Sequence, residues 1–456
     1  MGNDSLRLTH RKVVIVGGYG YHDIGDEAMP RADVINLRKR FPDLDIVMLS
    51  PDPAYTVAYH GERSIADLYT YLYQSPPWPF TILRRRYLWP IVLGPWITAR
   101  WLFFLAAVIC RRAGFRFPLP RIARDILDEL ETADLLFNVG GGNINSLIRE
   151  ELHQKTLVHL SAKMLNLPSV ISGQTIGPFH RRLDAFLARL ALDAADMITL
   201  RDKDISRQRL ATIGVTRPQM IDTADDAMTL PALSQSQSRM MLLNWSEGRW
   251  TDSEVKFLVA MNLNSYGLGM GKGKNVSWSH DIAVMAEIAD RLVERCQAHV
   301  LLVPTSYCRG GDDRPLLQEV KCTMRHGDRV MCILAEVDDI ALKGLIGLAH
   351  LAIGSRYHFN VFAVSMGVPC IGVAGGVYQM TKLEGLMALY GLPQCFVNQA
   401  LDSLSAEDLW ARVERVFAER EQIAARLQEM TPMLQERSLI SIQRAVELLN
   451  RLEHVQ

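Results

Sequence analysis

Residues 12–29 read Lys-Val-Val-Ile-Val-Gly-Gly-Tyr-Gly-Tyr-His-Asp-Ile-Gly-Asp-Glu-Ala-Met. The apolar run 13–16 predicts a strand buried on both faces, and Gly17-Gly18 stops it. A helix is expected to follow, with Pro30 near its first turn, where the missing N–H costs little. A strand that runs into glycines and then into a helix N-terminus is the unit of a parallel α/β sheet. Glycines in such a loop let the backbone approach a ligand, and the helix end favours an anion. The spacing is not G-x-G-x-x-G, which weakens a dinucleotide reading. Asp26 and Glu27 either face a ligand or complement the helix dipole.

Outward from this stretch the same unit repeats. Apolar runs at 45–49, 135–139, 169–172, 197–200 and 219–221 predict further strands, alternating with helical patterns. The polar segment 231–251 interrupts the series, and a second series runs through 259–263, 299–303, 330–334, 351–353 and 370–373. The fold class is therefore α/β, with two Rossmann-like domains facing a cleft. The expected divisions are a first domain at 1–235, a linker at 236–256, a second, donor-binding domain at 257–400 and C-terminal helices at 401–456. Ligands in such sheets bind beyond the carboxyl ends of the strands, so the loops there should face the cleft.

Composition narrows the function classes. The 456 residues carry 50 Lys+Arg against 50 Asp+Glu, which argues against nucleic acid as a partner. The 7 cysteines are scattered, with no C-x-x-C pair, which argues against a disulfide framework or a structural zinc and fits a reducing compartment. The first residues are polar and lead straight into the first strand, as expected for a cytoplasmic protein without a signal peptide.

One stretch departs from the pattern. Residues 68–124, an insertion in the first domain, hold nine arginines, four of the 8 tryptophans (Trp78, Trp89, Trp96 and Trp101) and no acidic residue. Its apolar centre, 88–110, lies between Arg84-Arg85-Arg86 and Arg111-Arg112. Pro90, Gly94 and Pro95 count against a spanning helix, as does Arg100, at about 2.5–3.5 kcal/mol. Basic flanks and tryptophans suit a helix lying in an anionic membrane surface. A buried helical hairpin or a dimer surface is the alternative.

Several residues are placed to carry chemistry. In Gly140-Gly141-Gly142-Asn143, a second strand-to-helix turn, successive N–H groups either hold an anion or make a tight turn. Ser172-Gly173-Gln174-Thr175-Ile176-Gly177-Pro178 is a third such loop, with Gln174 and Thr175 as polar fingers. Arg201 follows the strand at 197–200 and is either an anion anchor or half of a surface pair with Asp202. Asp225, in Thr223-Ala224-Asp225-Asp226, either holds a sugar hydroxyl or caps a helix. The sharpest group is Gly354-Ser355-Arg356-Tyr357-His358. Arg356 offers a bidentate fork for a carboxylate or phosphate, and His358 a proton near neutral pH. The alternative is a helix-capping histidine beside a surface arginine. Lys382, after Gly375-Gly376-Val377-Tyr378, is a second cation or a solvated residue.

Taken in order, the blocks GGYGYHDIGDEAM, FNVGGGNI, SGQTIGPF, TLRD, DTADDA and IGSRYHFNVFAVSMGVPCIGV, followed by Lys382, resemble the polysaccharide pyruvyl transferases of bacterial surface and cell-wall polysaccharide synthesis. The resemblance spans roughly residues 11–395. Asp23 stands where that family usually has Asn, and Phe359 where a small residue is common. The resemblance implies a fold similar to GT-B glycosyltransferases, phosphoenolpyruvate as donor and a pyruvate ketal on a sugar as product; that chemistry needs no metal or other cofactor, no metal-ligand spacing stands out, and a lipid-linked sugar is one expected form of the acceptor. It implies that Arg356 grips the donor with help from Arg201 and Lys382, and that His358 protonates the donor's methylene. Asp26 and Asp225 would be bases or acceptor ligands, and Gly18, Gly141, Gly142, Asn143 and Gln174 would line the substrate loops. Two other readings fit the residues: a nucleotide-sugar glycosyltransferase of similar architecture, and a membrane-docked, catalytically degenerate polysaccharide-binding relative.

Overall fold

The computed structural model describes residues 11–74, 89–202, 204–264, 278–308 and 311–451. The first sheet is built from β1 (Lys12–Val16), β2 (Asp45–Ser50), β3 (Arg63–Ala66), β4 (Leu135–Asn138), β5 (Gly141–Ile144), β6 (Ser169–Ile176), β7 (Met197–Leu200) and β8 (Gln219–Asp222). Their order is β3-β2-β1-β4-β6-β7-β8, with β5 paired to β6. The second sheet holds β9 (Leu258–Asn262), β10 (His299–Leu302), β11 (Val330–Cys332), β12 (Leu351–Gly354), β13 (Cys370–Ala374) and β14 (Phe396–Ala400), in the order β11-β10-β9-β12-β13-β14. The described pairings are parallel. The central strands are covered on both faces, and Val13, Val14 and Ile15 have no exposed surface, which is why they read as an unbroken apolar run. Strand order reverses between β1 and β4 and again between β9 and β12, which gives each sheet a switch point, the place where open α/β sheets in general bind ligands.

Helix α1 (Ile24–Arg40) begins earlier than the position of Pro30 suggested. Asp23 caps it by accepting from the N–H groups of Gly25 and Asp26 at 3.1 and 3.4 Å, so Pro30 falls inside the helix rather than in its first turn. The strand expected at 169–172 continues as β6 to Ile176, with a register shift at Gly173 (φ +41°), so Gln174 and Thr175 belong to a strand and not to a loop.

In the insertion, α2 (Trp89–Arg112) and α3 (Arg121–Glu131) are helical, while Trp78 and Arg84-Arg85-Arg86 lie outside the described residues. Phe104, Ala107 and Val108 of α2 pack into one cluster with Leu127 and Leu130 of α3 and Val158 of α4 (Arg149–Leu165). Within the polar segment taken as a linker, α5 (Gln235–Trp245) is a helix started by a Ser234–Gln237 capping box.

The two domains are joined by more than the connecting chain. Lys343 donates to the carbonyls of Ala227, Met228 and Leu230 at 3.1, 3.0 and 2.7 Å, and burial lowers its pKa to about 7. After α6 (Tyr357–Ser365) and α7 (Val377–Tyr390), the last helix, α8 (Ile440–Arg451), returns to the first sheet. There Ile442, Ala445, Leu448 and Leu449 join one cluster with Val13, Ile15, Leu135, Phe137 and Val170.

Candidate active site

The segments that follow β1, β4, β7, β8, β12 and β13 meet between the domains. The strand-to-helix turn expected at 140–143 is instead a bend at Gly140 followed by β5, in which Asn143 lies with its side chain against Gly18. Two glycines are required by close approach across the cleft. A Cβ on Gly25 would stand 2.2 Å from His358 Nδ1, and one on Gly142 would stand 2.4 Å from the Tyr378 hydroxyl and 2.8 Å from Lys382 Nζ. The Tyr378 hydroxyl donates to the Gly142 carbonyl. Backbone bonds complete the contact: Ile24 N–H donates to the Thr305 carbonyl and Tyr307 N–H to the His22 carbonyl, each at 2.9 Å.

A chain of charges occupies this meeting point. Arg201, 1% exposed, donates from Nη1 to Asp225 Oδ2 at 2.6 Å and from Nε to Thr175 Oγ1 at 3.1 Å. Its guanidinium lies 4.4 Å over the ring of Tyr357, and Lys382 Nζ stands 5.9 Å from the same ring and 4.3 Å from that of Tyr378. Burial alone would raise the pKa of Asp225, but Arg201 and then His358 hold its carboxyl well below the usual range. His358 Nε2 is 3.7 Å from Asp225 Oδ2, longer than a hydrogen bond, and that nitrogen is buried without a partner. Burial lowers the pKa of His358, with Asp225 opposing the shift. Asp26, half-buried in the first turn of α1, has its pKa raised to about 8 by burial and by the charge of Asp23, against the pull of Lys382 and Arg201.

Arg356 is engaged differently from the sequence expectation. Its Nε and Nη2 grip Asp313 at 3.2 and 2.7 Å, Nη2 also reaches the Gly311 carbonyl at 3.1 Å, and Nη1 bonds Asp23 Oδ2 at 2.9 Å. The fork expected to hold the donor therefore holds a carboxylate of its own domain and one of the other. Asp23 serves twice, capping α1 with one oxygen and meeting Arg356 with the other. Gln174 is 1% exposed and donates to the Val139 carbonyl at 2.8 Å, so it braces the β4 turn from below. Arg201, Lys382, His358, Asp225, Asp26, Gly18, Gly142 and Asn143 are brought together, Gly141 supports the turn from within β5, and Arg356 and Gln174 stand behind them.

Two contributors went unseen in the sequence reading. Tyr357 sits within the Arg-Tyr-His run, and an aromatic between two expected cation sites was a usable signal. Asp313 lies 43 residues before Arg356, in a polar loop with no local signature.

The model of one family, polysaccharide pyruvyl transferase, matches residues 23–376. The chain belongs to the polysaccharide pyruvyl transferase family. This chain is 22% identical over 417 residues to the amylovoran biosynthesis protein AmsJ of Erwinia amylovora, covering 90% of this chain and 93% of that one. Among solved structures it is similar to the UDP-GlcNAc 2-epimerase of Neisseria meningitidis bound to UDP-GlcNAc (TM-score 0.57, 11% identity, 96% of this chain and 100% of that chain). It is also similar to the putative UDP-N-acetylglucosamine 2-epimerase of Listeria monocytogenes (TM-score 0.60, 13% identity, 97% of each). A third is UGT73P12 of Glycyrrhiza uralensis (TM-score 0.57, 9% identity, 98% of this chain and 97% of that chain). These likenesses establish the fold, two Rossmann-like domains in the GT-B arrangement, and the family makes the chain a transferase.

Proposed function

We propose that this protein transfers the pyruvyl group of phosphoenolpyruvate to two hydroxyls of one sugar in an exopolysaccharide or cell-wall precursor, leaving a pyruvate ketal and releasing phosphate. The observation that carries the reading is the convergence of two cations and a histidine at one point between the domains. Arg201 and Lys382 lie 4.4 and 5.9 Å from the Tyr357 ring, and Asp225, paired with Arg201, stands 3.7 Å from His358 Nε2. The donor carries a carboxylate and a phosphate, and the two cations answer them. All three nitrogens of Arg356 are engaged by Asp313, Gly311 and Asp23, whereas the bonds of Arg201 to Asp225 and Thr175 use Nη1 and Nε, so Arg201 and Lys382 become the donor anchors and Arg356 fixes the domains around them. The family and the amylovoran relative support an exopolysaccharide acceptor.

In this scheme His358, protonated once the anionic donor is bound, gives its proton to the methylene carbon, which makes C2 electrophilic. One sugar hydroxyl adds to C2, the bond from C2 to the phosphate oxygen breaks, and the second hydroxyl closes the ketal. Of the two hydroxyl protons, one restores His358 and the other leaves with phosphate. The donor brings its own activated group, so the scheme calls for no cofactor. The reaction is placed in the cytoplasm, where a precursor on a lipid carrier would be met at the inner face of the membrane.

The test is incubation with phosphoenolpyruvate in heavy water and a panel of nucleoside-diphosphate and lipid-linked sugars. Acceptor-dependent phosphate release, with one deuterium in the new methyl group, is expected. Turnover of a nucleotide sugar without phosphoenolpyruvate would replace this reading with glycosyl transfer, and binding without turnover of either donor would make the chain a non-catalytic relative.

A further inference from the structure

The outward face of α2 has no assigned role. Leu93–Arg112 is 20 residues long and apolar enough to cross a membrane by length and composition. It does not stand free as a spanning helix, because Phe104, Ala107 and Val108 on one side are closed against the first domain. Arg100 is folded onto Trp96 and Tyr71, with its guanidinium 4.4 and 4.8 Å from the two rings. The opposite side is as apolar as the packed one: Leu102, Phe103 and Ile109 are 64%, 43% and 58% exposed, and Phe115 just beyond the helix is 69% exposed. A helix with one face on its own protein and an equally apolar face outward has a second surface to cover.

The charges around this face indicate which. Arg111 pairs with Asp128 and Glu131, and Arg121 lies 3.6 Å from Asp125. Exposed Arg112, Arg116 and Arg124 have no carboxylate within ion-pair reach among the described residues, and no acidic residue occurs in 68–124. An apolar stripe with exposed arginines in no ion pair, of which Arg112 bonds only the neutral Met164 carbonyl and Asn166 side chain, complements an anionic lipid surface, with apolar side chains below the headgroups and cations among them.

Direction adds a further point. Trp101 lies against His153 near the start of α4, with ring centroids 6.5 Å apart, and Arg112 bonds the Met164 carbonyl near its end, so α2 runs parallel to α4. The first turn of α4 carries Glu151, which accepts from Tyr21 of the glycine loop at 3.0 Å. The tryptophan end of α2 is therefore on the cleft side of the domain.

We propose that the outward face of α2 docks the enzyme on an anionic phospholipid bilayer, with the cleft end of the first domain turned toward the membrane plane from which a lipid-linked acceptor arrives. The acceptor's identity rests on the proposed function. The lipid contact does not, because it is read without turnover.

The full-length protein is sedimented with vesicles of phosphatidylcholine alone or with phosphatidylglycerol added, at low and high salt. Binding at least tenfold tighter to the anionic vesicles is expected, with salt removing most of that preference. Leu102→Glu with Ile109→Glu, both on exposed positions, should weaken binding at least tenfold with an unchanged thermal melt. Arg112→Gln, Arg116→Gln and Arg124→Gln together leave the apolar stripe intact and should lower the anionic preference by about fivefold per arginine. If the intact protein ignores both kinds of vesicle, the proposal is overturned. If it is instead a dimer in solution that Leu102→Glu with Ile109→Glu splits, the face belongs to a second copy. Turnover of phosphoenolpyruvate with a soluble acceptor is measured on the same samples. Vesicle binding without turnover would end the functional reading and leave the lipid contact standing.

Discussion

Burial lowers the pKa of His358, and Asp225, which opposes that shift, stands too far away for a hydrogen bond. In the proposed reaction, a donor bearing a carboxylate and a phosphate would oppose that shift, so the proton needed at the methylene would be loaded by the substrate itself. His358→Asn should lower kcat by about 10²–10⁴-fold, and calorimetry should show phosphoenolpyruvate binding changed less than about threefold. Asp26 behaves oppositely. With a folded pKa near 8 against 3.8 for an ordinary aspartate, it is protonated at neutral pH. The fold holds this proton more tightly than the unfolded chain, so its stabilising effect is complete below 3.8 and is lost as pH rises through 8. Above pH 8 a charged Asp26 would also face the anionic donor of the proposed reaction. The Kd of phosphoenolpyruvate should therefore climb above pH 8 in the native protein and stay flat in Asp26→Asn. The same variant should melt a few degrees higher than the native protein at pH 9 and no higher at pH 4; the opposite order would show that Asp26 is charged in the fold.

At the scale of elements, the site depends on how closely the start of α1 approaches the start of α6. Gly25→Ala places a Cβ 2.2 Å from His358 Nδ1, and both partners are anchored: α1 by Asp23, and α6 by Arg356 immediately before it. Overpacking of this kind costs about 1–3 kcal/mol. Displacing the ring by about 1 Å should cost turnover on the order of 10²-fold. A crystal structure of the variant should show His358 moved with the sheets unchanged. The same elements explain what sequence could reveal. β1, β4, β7 and β12 are apolar runs ended by glycine or a charged residue, and their loops carry the site, so strand ends and site residues were legible together. β3 (Arg-Ser-Ile-Ala) and β5 (Gly-Gly-Asn-Ile) are short, with polar or glycine positions, and pairing alone makes them strands. Gln174 read as a loop finger because the register shift at Gly173 is a property of the sheet and has no local signature. Arg356 carried the right chemistry for a donor anchor; that Asp313 and Asp23 occupy its fork is a fact of two long-range contacts that no local pattern encodes.

At the scale of the whole molecule, Arg356 and Lys343 each bond the two domains together. The guanidinium of Arg356 is closed on Asp23 of the first domain and Asp313 of the second, all three nearly buried. Removing one member of such a group leaves an uncompensated buried charge, at about 3–5 kcal/mol. Arg356→Lys keeps the charge without the fork, so the thermal melt should fall by several degrees while the Kd of phosphoenolpyruvate moves less than about threefold. A large loss of donor affinity without a change in melt would restore Arg356 as a direct anchor. Asp23→Asn should lower the melt less than Arg356→Lys, because an amide oxygen can still accept from Nη1. The return of α8 to the first sheet has a consequence in time. Ile442, Ala445, Leu448 and Leu449 close over β4, β6 and β7 beside Val34 and Leu37 of α1, so part of a face of the first sheet stays open while more than half of the chain is still being made. At about 5–20 residues per second, that is an interval of tens of seconds on the ribosome. The growing chain is sticky throughout that interval, and a holdase that binds apolar sheet faces would be needed most by the half of the protein synthesised first.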